Sequence, residues 1–238
     1  MSDRTIAAVL FDLDGTLTDT VPDLALAVDL MLGTLGRAPV GELQVRSWVG
    51  NGALALVERA LTGAFDGRAE PAELRHAYEL FCGHYAEHLV DRSKLYPGVR
   101  EGLSELADRS LSLGVVTNKP ERFTLPLLAE MDLAPYFQVV VSGDSLPVKK
   151  PDPEPMRHGG GARGGAAGQR VVGGYSINVL AAARAAGAGF VCVPYGYRNG
   201  DDVFAAGPDA VIESLAELPA LIEDWGTKQA AQPRRHLA

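Results

Sequence analysis

The stretch FDLDGTLTDT, residues 11–20, follows an apolar run, TIAAVLF, at residues 5–11. That run is uncharged, partly β-branched and of strand length, so it reads as a buried strand. Asp12 and Asp14 stand two positions apart, a spacing that places both side chains on one side of an extended chain. Gly15 then permits a tight turn, and Thr16 offers a hydroxyl to a phosphate oxygen. In a doubly wound sheet, ligands bind beyond the carboxyl ends of the strands, where this stretch lies. Two clustered carboxylates repel each other and favour a divalent cation, and hard oxygen donors select Mg²⁺. Taken alone, an Asp-x-Asp reads as a pair of solvated aspartates capping a strand. The remainder of the chain decides between the two.

Further runs of strand length recur at residues 112–117 (SLGVVT), 137–143 (FQVVVSG), 170–174 (RVVGG), 189–194 (GFVCVP) and 209–212 (DAVI). They alternate with helical patterns, the signature of an α/β fold built on a doubly wound, Rossmann-like parallel sheet. One interval breaks the alternation. From about residue 20 to residue 95 only helical periodicity appears, for example Leu24, Val28, Met31, Leu32 and Leu35 on one face. Pro71 opens another helix in this interval. The expected organisation is a core of residues 1–18 and 95–225, a small all-helical cap at 19–94 inserted after the first strand, and a mobile tail at 226–238. The segment HGGGARGGAAGQR, residues 158–170, falls where the alternation requires a helix. Glycine costs about 1 kcal/mol per helical position relative to alanine, so a poor helix is expected there.

Composition excludes several classes. The chain has 238 residues, and 22 Lys and Arg against 30 Asp and Glu leave a net charge of −8. That balance argues against a nucleic-acid surface. No segment reaches the ~18 apolar residues of a membrane span, and the amino-terminal run is too short and too charged at its flanks for a signal peptide. Cys82 and Cys192 form neither a metal-ligand spacing nor a disulfide framework, which fits a reducing compartment. A cytoplasmic protein is expected, without nucleic-acid or membrane partners. Oligomeric state is not legible.

Two further elements agree with the first. In VVTNKPERF, residues 115–123, Thr117 and Asn118 end a buried strand and can hold phosphoryl oxygens. In KKPDP, residues 149–153, a lysine fixed by prolines can offset the charge of a phosphate and a carboxylate. In this order and at strand ends, the three elements resemble the haloacid dehalogenase superfamily of phosphohydrolases, over nearly the whole chain. The resemblance implies Asp12 as the nucleophile that becomes an aspartyl-phosphate, and Asp14 as general acid and then base. It implies Thr117 as a phosphoryl holder, Lys150 as the charge-balancing cation, and Mg²⁺ bound by Asp12 and the backbone carbonyl of Asp14. Gly15, Thr16 and Asn118 would complete the phosphoryl pocket. Asp14 sets the chain apart from the superfamily's dehalogenases, which expel halide and need no acid there.

Within the superfamily, SWVGNGALALVERAL (47–61) and PYGYRNG (194–200) look like segments of phosphoglycolate phosphatases with a helical cap. That likeness implies a small phosphorylated acid as substrate. Gly50 and Asn51 would close over the site. Arg59 would meet the substrate carboxylate, although a solvated helix charge fits it equally. Phosphatases of sugar phosphates share much of this pattern.

The resemblance also requires a fourth element, a strand ending in Gly-Asp-Ser with a second aspartate four residues on. Aligned from AARAAG without a gap, Tyr175 takes the place of the first acid and Val179 that of the second. A neutral phenol is a poor Mg²⁺ ligand. Three readings follow. The chain is an impaired phosphatase or a phosphate-binding interaction protein; another carboxylate such as Asp144 substitutes; or a shifted reading frame through a GC-rich stretch produced both the glycine run and the missing acids. His84 and His88, four apart, lack the third ligand and acid of a zinc site and read as helix surface. Trp48 reads as packing within the insert.

Overall fold

The computed structural model describes residues 6–160, 165–197 and 202–231. In chain order the elements are β1 (Ala8–Phe11), β2 (Thr18–Asp19), α1 (Val21–Thr34), α2 (Glu42–Trp48), α3 (Ala53–Thr62), α4 (Pro71–Glu87), β3 (Lys94–Leu95), α5 (Val99–Asp108) and β4 (Ser112–Val116). They continue with α6 (Glu121–Glu130), β5 (Val139–Val141), α7 (Glu154–Gly159), β6 (Arg170–Gly174), α8 (Ile177–Ala185), β7 (Gly189–Cys192), β8 (Ala210–Val211) and α9 (Leu218–Ala231). Each of the six strands expected from the sequence is present, trimmed at its ends where side chains turn toward loops.

These six strands form one parallel sheet in the order β5-β4-β1-β6-β7-β8. All four residues of β1 are buried, because it is central and covered on both faces. Alternation divides the core. Val9 and Phe11 join one apolar cluster with Leu103 of α5, Leu127 of α6 and Leu218 of α9; Leu10 joins another with Met156 of α7 and Leu180 of α8. The chain runs from β1 outward through β4 to β5, then returns past β1 to β6, β7 and β8. The order therefore reverses between β1 and β6, and a crevice opens there beyond the strand ends. Asp12 leaves β1 at that crevice and Tyr175 leaves β6 at it.

The helices α1 to α4 fill the interval between β2 and β3. Those two strands form a short antiparallel ribbon in which Thr18 faces Leu95 and Asp19 faces Lys94. Local signals start and stop the helices. Pro71 occupies the first turn of α4, and the Glu70 carboxylate accepts the amides of Ala72 and Glu73 at 2.7 and 3.2 Å. α3 ends on Gly63 at φ 68°, a left-handed cap suited to glycine. Asp23 of α1 is fully buried and accepts from the amides of Arg92 and Ser93 and from the Ser93 hydroxyl, at 2.6 to 3.1 Å. It pins the returning chain just ahead of β3.

α7 runs to Gly159, and among the described residues beyond it a single 3₁₀ turn at Ala167–Gln169 precedes β6; residues 161–164 of the glycine run lie outside the described residues. α9 continues through Trp225 to Ala231, and residues 232–238 of the expected tail lie outside the described residues. Among the described residues no helix is long and apolar enough to cross a membrane. Cys82 and Cys192 are both buried and free, and Trp48 packs in the core at 3% exposure.

Asp23→Ala is expected to strip the acceptor from buried donors and to lower stability by about 3 kcal/mol in urea unfolding, with Asp23→Asn losing less.

Candidate active site

The cleft lies beyond the carboxyl ends of β1, β4 and β6. Its core wall carries Asp12, Asp14, Thr117, Asn118 and Tyr175, and its opposite wall carries residues of α1, α3, α4 and the turn at 49–52. Asp12 is 8% exposed, and one carboxylate oxygen accepts both the Leu13 amide at 2.8 Å and the Lys150 ammonium at 2.6 Å. Burial pushes the Asp12 carboxyl above its ordinary value, against the pull of Lys150. Lys150 is itself buried and also donates to the Val116 carbonyl at 2.7 Å. Asn118 holds the lysine's backbone, accepting from its amide and donating to its carbonyl, each at 3.1 Å. The same amide group donates to the Gly50 carbonyl at 3.1 Å and so joins the two walls.

Asp14 has a second cation. One of its oxygens lies 3.1 Å from Nζ of Lys119 and accepts the Thr20 hydroxyl at 2.6 Å. Lys119 is 5% exposed and donates to the Tyr85 hydroxyl of α4 at 2.6 Å. Burial opposes its charge, but Asp14 and Tyr85 outweigh burial and the lysine is held above its ordinary value. Sequence reasoning had stopped at Asn118 and missed Lys119. The signal was its adjacency to Thr117-Asn118, since a residue leaving a buried strand at a crevice faces the ligand. Tyr85 carries no such signal.

The other sequence-derived residues divide. Thr117 is buried on the cleft wall, and its Oγ1 accepts the Lys119 amide at 3.1 Å. Gly15 makes the turn at φ 80°, and Thr16 is buried behind it with a hydroxyl that has no partner among the described residues; neither faces the cleft. Gly50 does face it. Arg59 requires correction. It is 7% exposed and turned inward, bonding the carbonyls of Trp48 and Phe65 and the side chain of Asn51, with its guanidinium 3.6 Å from the centre of the Phe65 ring. It braces the 49–52 turn, is neither a solvated charge nor a cleft cation, and engages Asn51 as well. A guanidinium carries five donors, and its three nitrogens find acceptors in the carbonyls of Phe65 and Trp48 and the side chain of Asn51. Asp144 accepts the Glu121 amide at 2.8 Å and serves the turn before α6.

Tyr175 occupies the crevice itself. It is 6% exposed, and its ring lies on the Gly15 backbone so closely that a Cβ there would stand 2.5 Å from Cε1. The ring also packs on Gly196 and meets Tyr197 edge-on with centroids 5.4 Å apart. Burial, followed by the charges of Asp12 and Asp14, pushes the phenol well above its ordinary value, so it stays neutral. Val179 is fully buried against Gly174.

The sequence profile described as haloacid dehalogenase-like hydrolase matches residues 9–193. The chain belongs to this family. Among its relatives, a phosphoglycolate phosphatase from Nitrosospira multiformis is 47% identical over 92% of this chain and 96% of its own length. One from Nitrosococcus oceani is 44% identical over 90% and 95%. A crystal structure from Haemophilus somnus, described as a predicted phosphoglycolate phosphatase, superposes with a TM-score of 0.85 at 32% identity, covering 93% of this chain and 99% of that one. The CbbY structure from Rhodobacter sphaeroides, in complex with phosphate, gives 0.71 at 26% identity over 90% and 96%.

For this hydrolase the Mg²⁺ implied by the resemblance meets a short donor set. Mg²⁺ demands near-octahedral oxygen coordination. Asp12 and Asp14 are the carboxylates on the cleft wall, and each already answers a lysine. Among the described residues no group of three or more His, Cys, Asp or Glu converges. Tyr175 fills the place of a further acid with a neutral ring. The residues present do not fit a tightly held Mg²⁺. Calorimetric titration is expected to show Mg²⁺ binding at least ~10-fold weaker for this chain than for its Tyr175→Asp, Val179→Asp double variant.

Proposed function

We propose that this hydrolase is a phosphomonoesterase for a small phosphorylated acid of the 2-phosphoglycolate type, slowed by the loss of its fourth acidic element. The observation that carries the reading is the pair of cleft carboxylates, Asp12 and Asp14, each matched to its own buried lysine. A carboxylate oxygen of Asp12 attacks phosphorus while the ester P–O bond breaks, and Asp14 gives its proton to the departing alcohol oxygen. Water then attacks the aspartyl-phosphate, the bond from Asp12 to phosphorus breaks, and Asp14 takes the proton from water. Lys150 offsets the charge of nucleophile and phosphoryl group together. Thr117 accepts from the Lys119 amide, which leaves its own O–H for a phosphoryl oxygen.

The helical insert acts as a cap in this scheme. Leu24, Val49 and Leu56 present apolar walls that exclude water and suit a short substrate. Two buried free thiols and the absence of a spanning helix among the described residues support a cytoplasmic setting. A second reading, a phosphate-binding protein with little turnover, is favoured by the buried Tyr175 ring beside Asp12 and Asp14.

Phosphate release from 2-phosphoglycolate with Mg²⁺ tests the reading, on protein whose intact mass matches this sequence. The native chain is expected to turn over slowly, at least ~100-fold below the Tyr175→Asp, Val179→Asp variant, since two supporting acids are restored. Asp12→Asn should abolish release in both backgrounds. Release that survives Asp12→Asn would refute the nucleophile assignment.

A further inference from the structure

We propose that Lys119 reads the substrate's second anionic group, making the cleft selective for a short 2-phospho-acid over a neutral phosphate ester. This rests on the phosphatase reading above and gives it a specificity residue. Lys119 is a cationic side chain in the cleft lining, deeper than the exposed Lys149, whose ammonium stands 3.6 Å from where a Cβ on Gly52 would lie, and separate from Lys150, which answers Asp12. Arg59, a candidate in the sequence for a substrate carboxylate, is spent on Trp48, Asn51 and Phe65. An ammonium has three donors. One goes to Asp14 at 3.1 Å and one to the Tyr85 hydroxyl at 2.6 Å, and the third has no hydrogen-bond acceptor among the described residues. A buried lysine with a spare donor on a cleft wall is a prepared anion site, because the charge is already desolvated and its direction already set.

The position of that donor selects the ligand. Asp14 meets the ester oxygen, and Lys119 stands 3.1 Å from Asp14. In a 2-phospho-acid the carboxylate carbon is two bonds from that same oxygen. A carboxylate there falls beside Lys119, whereas a longer sugar chain would carry its hydroxyl groups against Leu24, Leu56 and Phe123, which offer no side-chain hydrogen bonds. Tyr85 fixes the lysine from above, with the ammonium 4.6 Å from its ring centre and the ring stacked on Phe81 at 5.5 Å. Both aromatic residues belong to α4, so the helical insert holds the carboxylate reader in place.

The experiment compares calorimetric binding of 2-phosphoglycolate and 2-hydroxyethyl phosphate, which replaces the carboxylate by a neutral alcohol. It uses the full chain with Mg²⁺ present, as native protein and as Lys119→Met, Lys119→Arg and Tyr85→Phe. The native chain is expected to prefer the acid at least ~10-fold, Lys119→Met to bind both esters alike, and Lys119→Arg to keep part of the preference. Equal binding by the native chain, or a preference that survives Lys119→Met, overturns the assignment while leaving the phosphatase reading intact. Failure of the native chain to bind either ester sinks that reading and the assignment together. If Lys119→Met does not fold, Tyr85→Phe decides: a reduced preference supports the proposal, and an unchanged one refutes it.

Discussion

Asp12 and Lys150 form an ion pair 2.6 Å long with both partners buried. A charge placed there without its partner costs several kcal/mol, so the pair dictates what surrounds it. Lys150 must arrive from the loop after β5, and Asn118 from the end of β4 must clamp that loop by its backbone. Three strand exits are thereby drawn to one point. Lys119 repeats the arrangement for Asp14, donating also to the Tyr85 hydroxyl while Asp14 accepts the Thr20 hydroxyl. The two carboxyl groups share the crevice because each has its own cation.

Tyr175 belongs to a different balance. At the reversal of strand order the fold opens a crevice, and an apolar ring fills it. The ring is held by packing on Gly15 and Gly196 and by its edge contact with Tyr197. Tyr197 also accepts the Thr20 amide at 2.8 Å, and Tyr195 donates to the Thr16 carbonyl at 3.1 Å. The loop after β7 therefore grips the turn that carries Asp12 and Asp14 and the ribbon that leads into the helical insert. Tyr175 stabilises this turn while offering no negative charge, so what it contributes to packing it withholds from metal binding.

Contacts between the insert and the core are both polar and apolar, the Tyr85 ring meeting Phe123 of α6 edge-on with centroids 4.9 Å apart. Asn118 reaches Gly50, and Lys119 reaches Tyr85. Arg122 of α6 donates to Cys82 and lies over the Tyr78 ring. Side chains of the core thus read the position of α4 directly, and a shift of that helix alters the surroundings of Lys119 and, through it, Asp14.

Strands and turn residues were legible in the sequence because they depend on local physics. An uncharged β-branched run is a buried strand wherever it sits, Asp-x-Asp-Gly at its exit needs no distant partner to be noticed, and a glycine run lowers helix propensity without reference to anything distant. The two-residue strands β2 and β3 were too short to leave a period. Lys119, Tyr85 and Arg59 could not be placed from the sequence for another reason: each is a polar group on an element whose pattern is set by its apolar neighbours. The direction of such a side chain follows from whichever unsatisfied carboxylate, carbonyl or ring lies within reach once the chain has folded. Only the tertiary structure brought Asp14 to Lys119, 105 positions along the chain, and turned Arg59 away from the cleft toward the Trp48 carbonyl. A buried charge is directed by its partners, and those partners are distant in sequence.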